Sequence, residues 1–187
     1  MNKTGKLALN AMLAGIIIVL GLTPLGLIPL GFINITTLCI PVIAGTLIMG
    51  IKQGILYGFL FGTVSMISML GLGMMAPSML AANLFAASPV LAILMCYIPR
   101  LLVPIVAHVV FQKYSAGISA FAASLTNTVM YLGLMWLFYS ISGLDAAKIM
   151  ALILGTGFIA GGAEAFVAFL LVPPIYKALS RNNSKGE

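Results

Sequence analysis

Residues 90–112 read VLAILMCYIPRLLVPIVAHVVFQ, 23 residues with a single charge, at Arg100. A bilayer core about 30 Å thick needs about 20 consecutive apolar residues to be crossed as a helix, and this stretch meets that length. Its surroundings have the same character. Of 187 residues, 62% are apolar and 6% charged, against about 45–50% and about 25% in an ordinary soluble domain. A chain so composed cannot solvate its own surface, which excludes a soluble enzyme, a DNA-binding domain and a disordered tail. The composition points to an all-α membrane protein in the cell membrane, multi-pass, with residues 1–187 forming one transmembrane domain.

Periodicity carries little information where a helix is apolar all round, so charges, prolines and glycines set the divisions. Six transmembrane helices are expected, at Lys6–Leu22, Ile35–Ile51, Ile55–Leu72, Val90–Gln112, Ala116–Ile141 and Ala151–Leu179. Thr23–Gly31 (TPLGLIPLG) reads as a loop and Gly71–Met79 (GLGMMAPSM) as a break. Between that break and the fourth span an irregular stretch carries Asn83 and Ser88. Pro99 and Pro104 are expected to kink the fourth span, and Pro173-Pro174 to kink or end the sixth. Lys3 and Lys6 precede an apolar run, as in a secretory signal, but further membrane sequence follows, so the run reads as a retained first helix.

The basic residues orient this arrangement. With both termini on one side, that side holds Lys3, Lys6, Lys52, Lys113, Lys177, Arg181 and Lys185, and the other only Lys148. The bias places the N- and C-termini in the cytoplasm. Scattered singly, these residues form no basic stripe, and no nucleic-acid partner is expected.

Charges and amides at membrane depth are expensive and mark interiors or cavities. Arg100 and Glu164 are the charges inside expected spans. They read either as an ion pair between helices or as a site in which Arg100 binds a substrate carboxylate and Glu164 orients it or accepts from a hydroxyl. Asn127, in Ser124–Gly133 (SLTNTVMYLG), is interhelical glue or a ligand contact, with Tyr131 one turn along the same face. Asn83 could serve a binding loop. His108 has no second imidazole and reads as a packed or interfacial residue. Cys39 and Cys96 lie in apolar runs and read as small buried residues.

Ala8, Ala11 and Gly15 share one face of the first helix, and Gly157, Gly161 and Ala165 one face of the sixth. Such faces let backbones approach closely, within the bundle or, for the first helix, on another protein. There is no phosphate-binding loop, no zinc or other metal set and no nucleophile elbow, so no enzyme, metal or cofactor is expected. With one carboxylate at membrane depth, a self-powered transporter is poorly supported. The residues describe a small-molecule binder without its own engine.

Several segments resemble the substrate-binding S components of energy-coupling factor (ECF) transporters. Thr37–Gly45 (TLCIPVIAG) with Gly50–Gly58 (GIKQGILYG) is similar to that family's Ile-Pro-Val-Ile run and Gly-x-Lys turn. Cys96–Val103 (CYIPRLLV), Ser124–Gly133 and Glu164–Ala178 (EAFVAFLLVPPIYKA) resemble its Pro-Arg, Thr-Asn-Thr-Val and Val-Pro-Pro motifs. The combination looks most like the pantothenate-type branch, which often carries His where this chain has Cys39 and Gly where it has Pro104. The resemblance implies a vitamin bound near the outer side. It also implies docking through the small face of helix one (Ala8, Ala11, Gly15) on a membrane coupling protein that carries two cytoplasmic ATPases. Pantothenate offers a carboxylate for Arg100, an amide for Asn127 and hydroxyls for Tyr131 or Asn83. Riboflavin, folate or a queuosine precursor are the alternative vitamin-class ligands. An autonomous channel or facilitator and a ligand-free scaffold are the alternatives of other classes.

Overall fold

The computed structural model describes residues 3–24, 26–29, 34–74 and 79–184. The chain enters as α1 (Lys3–Leu22), passes through a short antiparallel pair, β1 (Leu27–Pro29) and β2 (Asn34–Thr36), and continues as helices. These are α2 (Cys39–Met49), α3 (Ile51–Met69), α4 (Met79–Ala87), α5 (Pro89–Phe111), α6 (Ala116–Ile141), α7 (Ala146–Leu152) and α8 (Phe158–Ser184), with a π-helical turn at Ile153–Gly157 between the last two. Among the described residues, α1, α5, α6 and the part of α8 from Phe158 to Ser180 are long and apolar enough to cross a bilayer.

The span expected at Ile35–Ile51 is corrected at its start. Asn34–Thr36 pairs with Leu27–Pro29, Leu27 opposite Thr36, and α2 begins only at Cys39. Ile35, Thr36 and Thr37 are β-branched and prefer the pleated backbone. At 11 residues, α2 is about 16 Å long, half the hydrocarbon thickness. Its end is set by Gly50, whose φ of +86° turns the chain directly into α3. Lys52 and Gln53, expected as the connection, are therefore the first turn of α3. The loop expected at Thr23–Gly31 holds strand β1, and its Leu25, Leu30 and Gly31 lie outside the described residues.

Gly71, at φ +73°, closes α3: its N–H meets Ser68 O at 3.1 Å and Leu72 N–H meets Ile67 O at 3.2 Å. The stretch before the fourth span is helical rather than irregular, as α4 occupies Met79–Ala87. Pro89 opens α5, where its missing donor has no partner to lose, and the helix runs unbroken through Pro99 and Pro104. Nor does Pro173-Pro174 end α8, which continues to Ser184. The last expected span instead starts earlier, at Ala146, and is interrupted by the π turn. Asp145 caps α7, and hydrogen bonds from Lys148 hold its carboxyl below the usual carboxylate range.

Glycines on α3 set the packing against α5. A Cβ on Gly54 would lie 3.0 Å from Pro104 Cβ, one on Gly58 2.6 Å from Arg100 O, and one on Gly62 2.7 Å from the Tyr97 ring. Spaced every four residues, they form one backbone-thin stripe. On the opposite flank, Tyr57 of α3 donates to Asn10 Oδ1 of α1. The buried side chains fall into two clusters. One gathers α1, α2, α3, the C-terminal half of α5, the N-terminal half of α6 and α8 around Ile17, Val42, Tyr57 and Phe61. The other gathers α4, the N-terminal half of α5 and the C-terminal half of α6 around Leu84, Met95, Cys96 and Met135.

Candidate functional site

The seam between those clusters is occupied by Arg100, only 6% exposed. Its position follows from the local sequence. Pro99 has no N–H, so the carbonyl four residues back, Met95 O, loses its helical donor. Arg100 Nη1 donates to that same oxygen at 3.1 Å. The guanidinium carbon stands 5.3 Å from the Phe61 ring centroid and 4.6 Å from that of Tyr131. Two aromatic faces and one carbonyl thus hold a buried cation in a fixed orientation; cation–π contacts strengthen as water is excluded.

Antiparallel packing of α5 and α6 sets what lies beside it. Ser119 Oγ donates to Ala107 O at 2.6 Å, which pins the register of the two helices. Arg100 is seven residues from Ala107, and seven residues beyond Ser119 is Thr126. Arg100 and Asn127 therefore lie within about 2 Å of the same height. Asn127 is 5% exposed and Ser124 fully buried. Arg100 Nε, Asn127 Oδ1 and Ser124 Oγ are buried and have no hydrogen-bond partner among the described residues. Buried polar groups in folded proteins are almost always paired. A guanidinium N–H, an amide oxygen and a hydroxyl are thus left open on residues rooted within about one helical turn of height.

The structure brings Arg100 and Tyr131 into contact, with Asn127 one turn from Tyr131 on α6. Tyr131, expected to serve a ligand hydroxyl, gives its ring face to the Arg100 guanidinium. Asn83 is exposed on α4 and is no part of the buried cluster. Glu164 is half-buried on α8, three residues past Gly161, whose Cα packs against the Thr128 side chain of α6. Gly157 and Ala165 are buried with it, so this small-residue face packs within the bundle. On α1 the pattern is opposite: Ala8 and Ala11 are exposed, and a Cβ at Gly15 would meet nothing within 4 Å.

Cys96 is buried one turn before Arg100, its Sγ 4.0 Å from Met69 Sδ, and Cys39 is buried in the first cluster. His108 lies near the end of α5, its Nε2 3.2 Å from Gln112 Nε2. No group of three metal-ligating side chains occurs among the described residues. A separate groove of about 260 Å³ between α6 and α8 is walled by Leu125, Val129, Leu132, Trp136 and Phe158. With almost nothing polar in it, it does not suit a water-soluble ligand.

Phe61, Met95 O and Ser124 are the members of the site that the motifs did not single out. Two had a readable signal: a proline immediately before the arginine frees the carbonyl that anchors it, and Ser124 is spaced three residues from Asn127 on one helical face.

The model of the family "ECF transporter, substrate-specific component" matches residues 5–176. The chain is also 29% identical, over 167 residues covering 80% of this chain and 80% of the relative, to the pantothenic acid transporter PanT of Lactococcus lactis subsp. cremoris (strain MG1363). The chain is thus a multi-pass protein of the cell membrane, a transporter component rather than an enzyme, and it belongs to the family of substrate-specific components of ECF transporters.

Proposed function

We propose that this protein captures pantothenate through Arg100 and delivers it to a coupling module that supplies the energy. The observation that carries the reading is the buried guanidinium whose Nε–H meets no acceptor among the described residues. A charge at that depth is tolerated where something anionic completes it, and the planar fork suits a carboxylate. Asn127 supports a neutral polar contact at the same level. Similarity to a transporter named for pantothenic acid supports the choice of vitamin.

In the same reading the chain crosses the membrane six times with both termini in the cytoplasm. The α2–α3 pair and the α7–π–α8 run supply the spans beyond the longest helices. Ala8, Ala11 and Gly15 form the docking face for the membrane coupling protein, which bears two ATPases. Their exposure and the open space over Gly15 support this role. Glu164 completes the wall of the site from α8.

Calorimetric titration of the purified protein with water-soluble vitamins tests the proposal. Saturable binding of pantothenate, with riboflavin and folate silent, is the expected result. Binding of another vitamin in preference to pantothenate would overturn the assignment.

A further inference from the structure

Hydroxyls inside apolar helices ordinarily satisfy themselves on a carbonyl one turn back. On α6, Thr126 Oγ1 donates to Ala122 O at 2.7 Å and Thr128 Oγ1 to Ser124 O at 3.5 Å. Thr46 on α2 and Thr63 on α3 do the same, at 2.7 and 2.9 Å. Ser119 reaches across to Ala107 O. Ser124 departs from this pattern. Its Oγ is fully enclosed and has no hydrogen-bond partner among the described residues.

Ser124 is not isolated in that condition. It shares one face of α6 with Asn127 and Tyr131, at i, i+3 and i+7. Asn127 Oδ1, on a residue three positions and about 4.5 Å along the helix axis, is equally unpartnered, as is Nε of Arg100, whose backbone lies near the height of Asn127. Three enclosed, unpartnered polar side chains rooted within about one helical turn of height on two packed helices are more than packing ordinarily leaves over. Their chemistry is also complementary. Arg100 Nε offers a proton, Asn127 Oδ1 accepts one, and Ser124 Oγ can do either.

We infer that Ser124 is a third ligand-reading residue, which with Asn127 Oδ1 accepts a hydrogen-bond donor on the substrate, an N–H placed a few bonds from the carboxylate at Arg100. The inference rests on the proposed carboxylated vitamin. In pantothenate the amide N–H is separated from the carboxylate by two methylenes, a reach that fits within one turn of helix. Ligands that present only an acceptor at this depth are then disfavoured, because the single proton of Ser124 Oγ cannot satisfy both that acceptor and Asn127 Oδ1. Asn127 and Ser124 together, rather than Arg100, would tell such an amide from a simple carboxylate.

The test is a thermodynamic cycle in detergent-purified protein. Wild type and Ser124→Ala are titrated with pantothenate and with its ester isostere, in which oxygen replaces the amide N–H, and ligand-free melting curves are recorded. Ser124→Ala is expected to melt no lower than wild type and to bind pantothenate about tenfold more weakly. The ester should be weakened by the substitution clearly less than pantothenate is. The ester against wild type gives the same reading without any mutation and should also lose about tenfold. Equal binding of pantothenate by both proteins would overturn the role of Ser124 and leave the vitamin assignment standing. A lower melting temperature for the ligand-free variant would assign Ser124 to structure and overturn it too. So would an equal loss for both ligands, because Ser124 would then not be reading the N–H. Wild type that fails to bind pantothenate would overturn this inference together with the reading it rests on.

Discussion

Arg100 owes its position to the residue before it. A proline in mid-helix normally costs about 3 kcal/mol, chiefly because a carbonyl four residues back goes unanswered. Here the Arg100 guanidinium answers it, at 3.1 Å from Met95 O. The pairing makes the two residues one device, and Pro99→Ala should separate its two effects. The new N–H would compete for Met95 O and restore the helical bond, so the melting temperature should rise or hold. Arg100 would lose a charge-assisted hydrogen bond of about 1.5–3 kcal/mol, and vitamin affinity should fall roughly tenfold or more. Unchanged affinity, measured by calorimetry beside the melting curves, would show that Met95 O does not orient the cation. At this scale the sequence was informative wherever chemistry is rare in an apolar chain. One arginine and one mid-helix asparagine stand out among aliphatics. Ser124 and Phe61 do not, because a serine or phenylalanine in a membrane helix is ordinary until its surroundings are known.

Helix ends and helix contacts were legible to different degrees. Where glycine or charge punctuates the apolar runs, boundaries were clear: Ala116–Ile141 is α6 residue for residue, and α5 is displaced by one. Where an apolar β-branched run could be strand or helix, hydropathy could not separate them, and the expected second span lost its first turn to β2 and the turn that follows it. The glycine stripe on α3 carries a plain four-residue period, yet the period alone does not name the helix it faces. Prolines supply the missing half. Pro104 frees Arg100 O, which Gly58 approaches, and Pro173 frees Phe169 O, which lies 3.4 Å from a Cβ built on Gly117. Close backbone approach of a glycine to an unanswered carbonyl recurs at both sites, consistent with Cα–H···O contacts that soften the loss. The outward small face of α1 is the element that these internal contacts leave over. Ala11→Trp should block assembly with the coupling protein and abolish uptake, while vitamin binding by the isolated protein changes less than twofold. Co-purification of the partner and a parallel titration check this; lost binding in the isolated protein would mean that the face serves the bundle.

At the scale of the whole molecule, the proposed reading is of a chain that binds and leaves the driving of transport to partners. The family to which it belongs is built that way, its members being the substrate-specific parts of larger transporters. Membrane character and family were within reach of sequence because composition and motif spacing run the length of the chain. The site's organisation was not, because it depends on the α5–α6 register that Ser119 and Ala107 O fix. Everything then turns on whether Arg100 holds a ligand carboxylate or serves the fold alone, for instance as a partner of Glu164. A double-mutant cycle settles it: wild type and Arg100→Ala, each titrated with pantothenate and with the analogue whose carboxylate is replaced by an alcohol. A coupling energy of about 2–5 kcal/mol is expected, the range for truncating one partner of a buried charge pair, with the alcohol binding both proteins alike. Coupling below about 0.5 kcal/mol, the ordinary error of additivity, would contradict the assignment of Arg100 to the ligand.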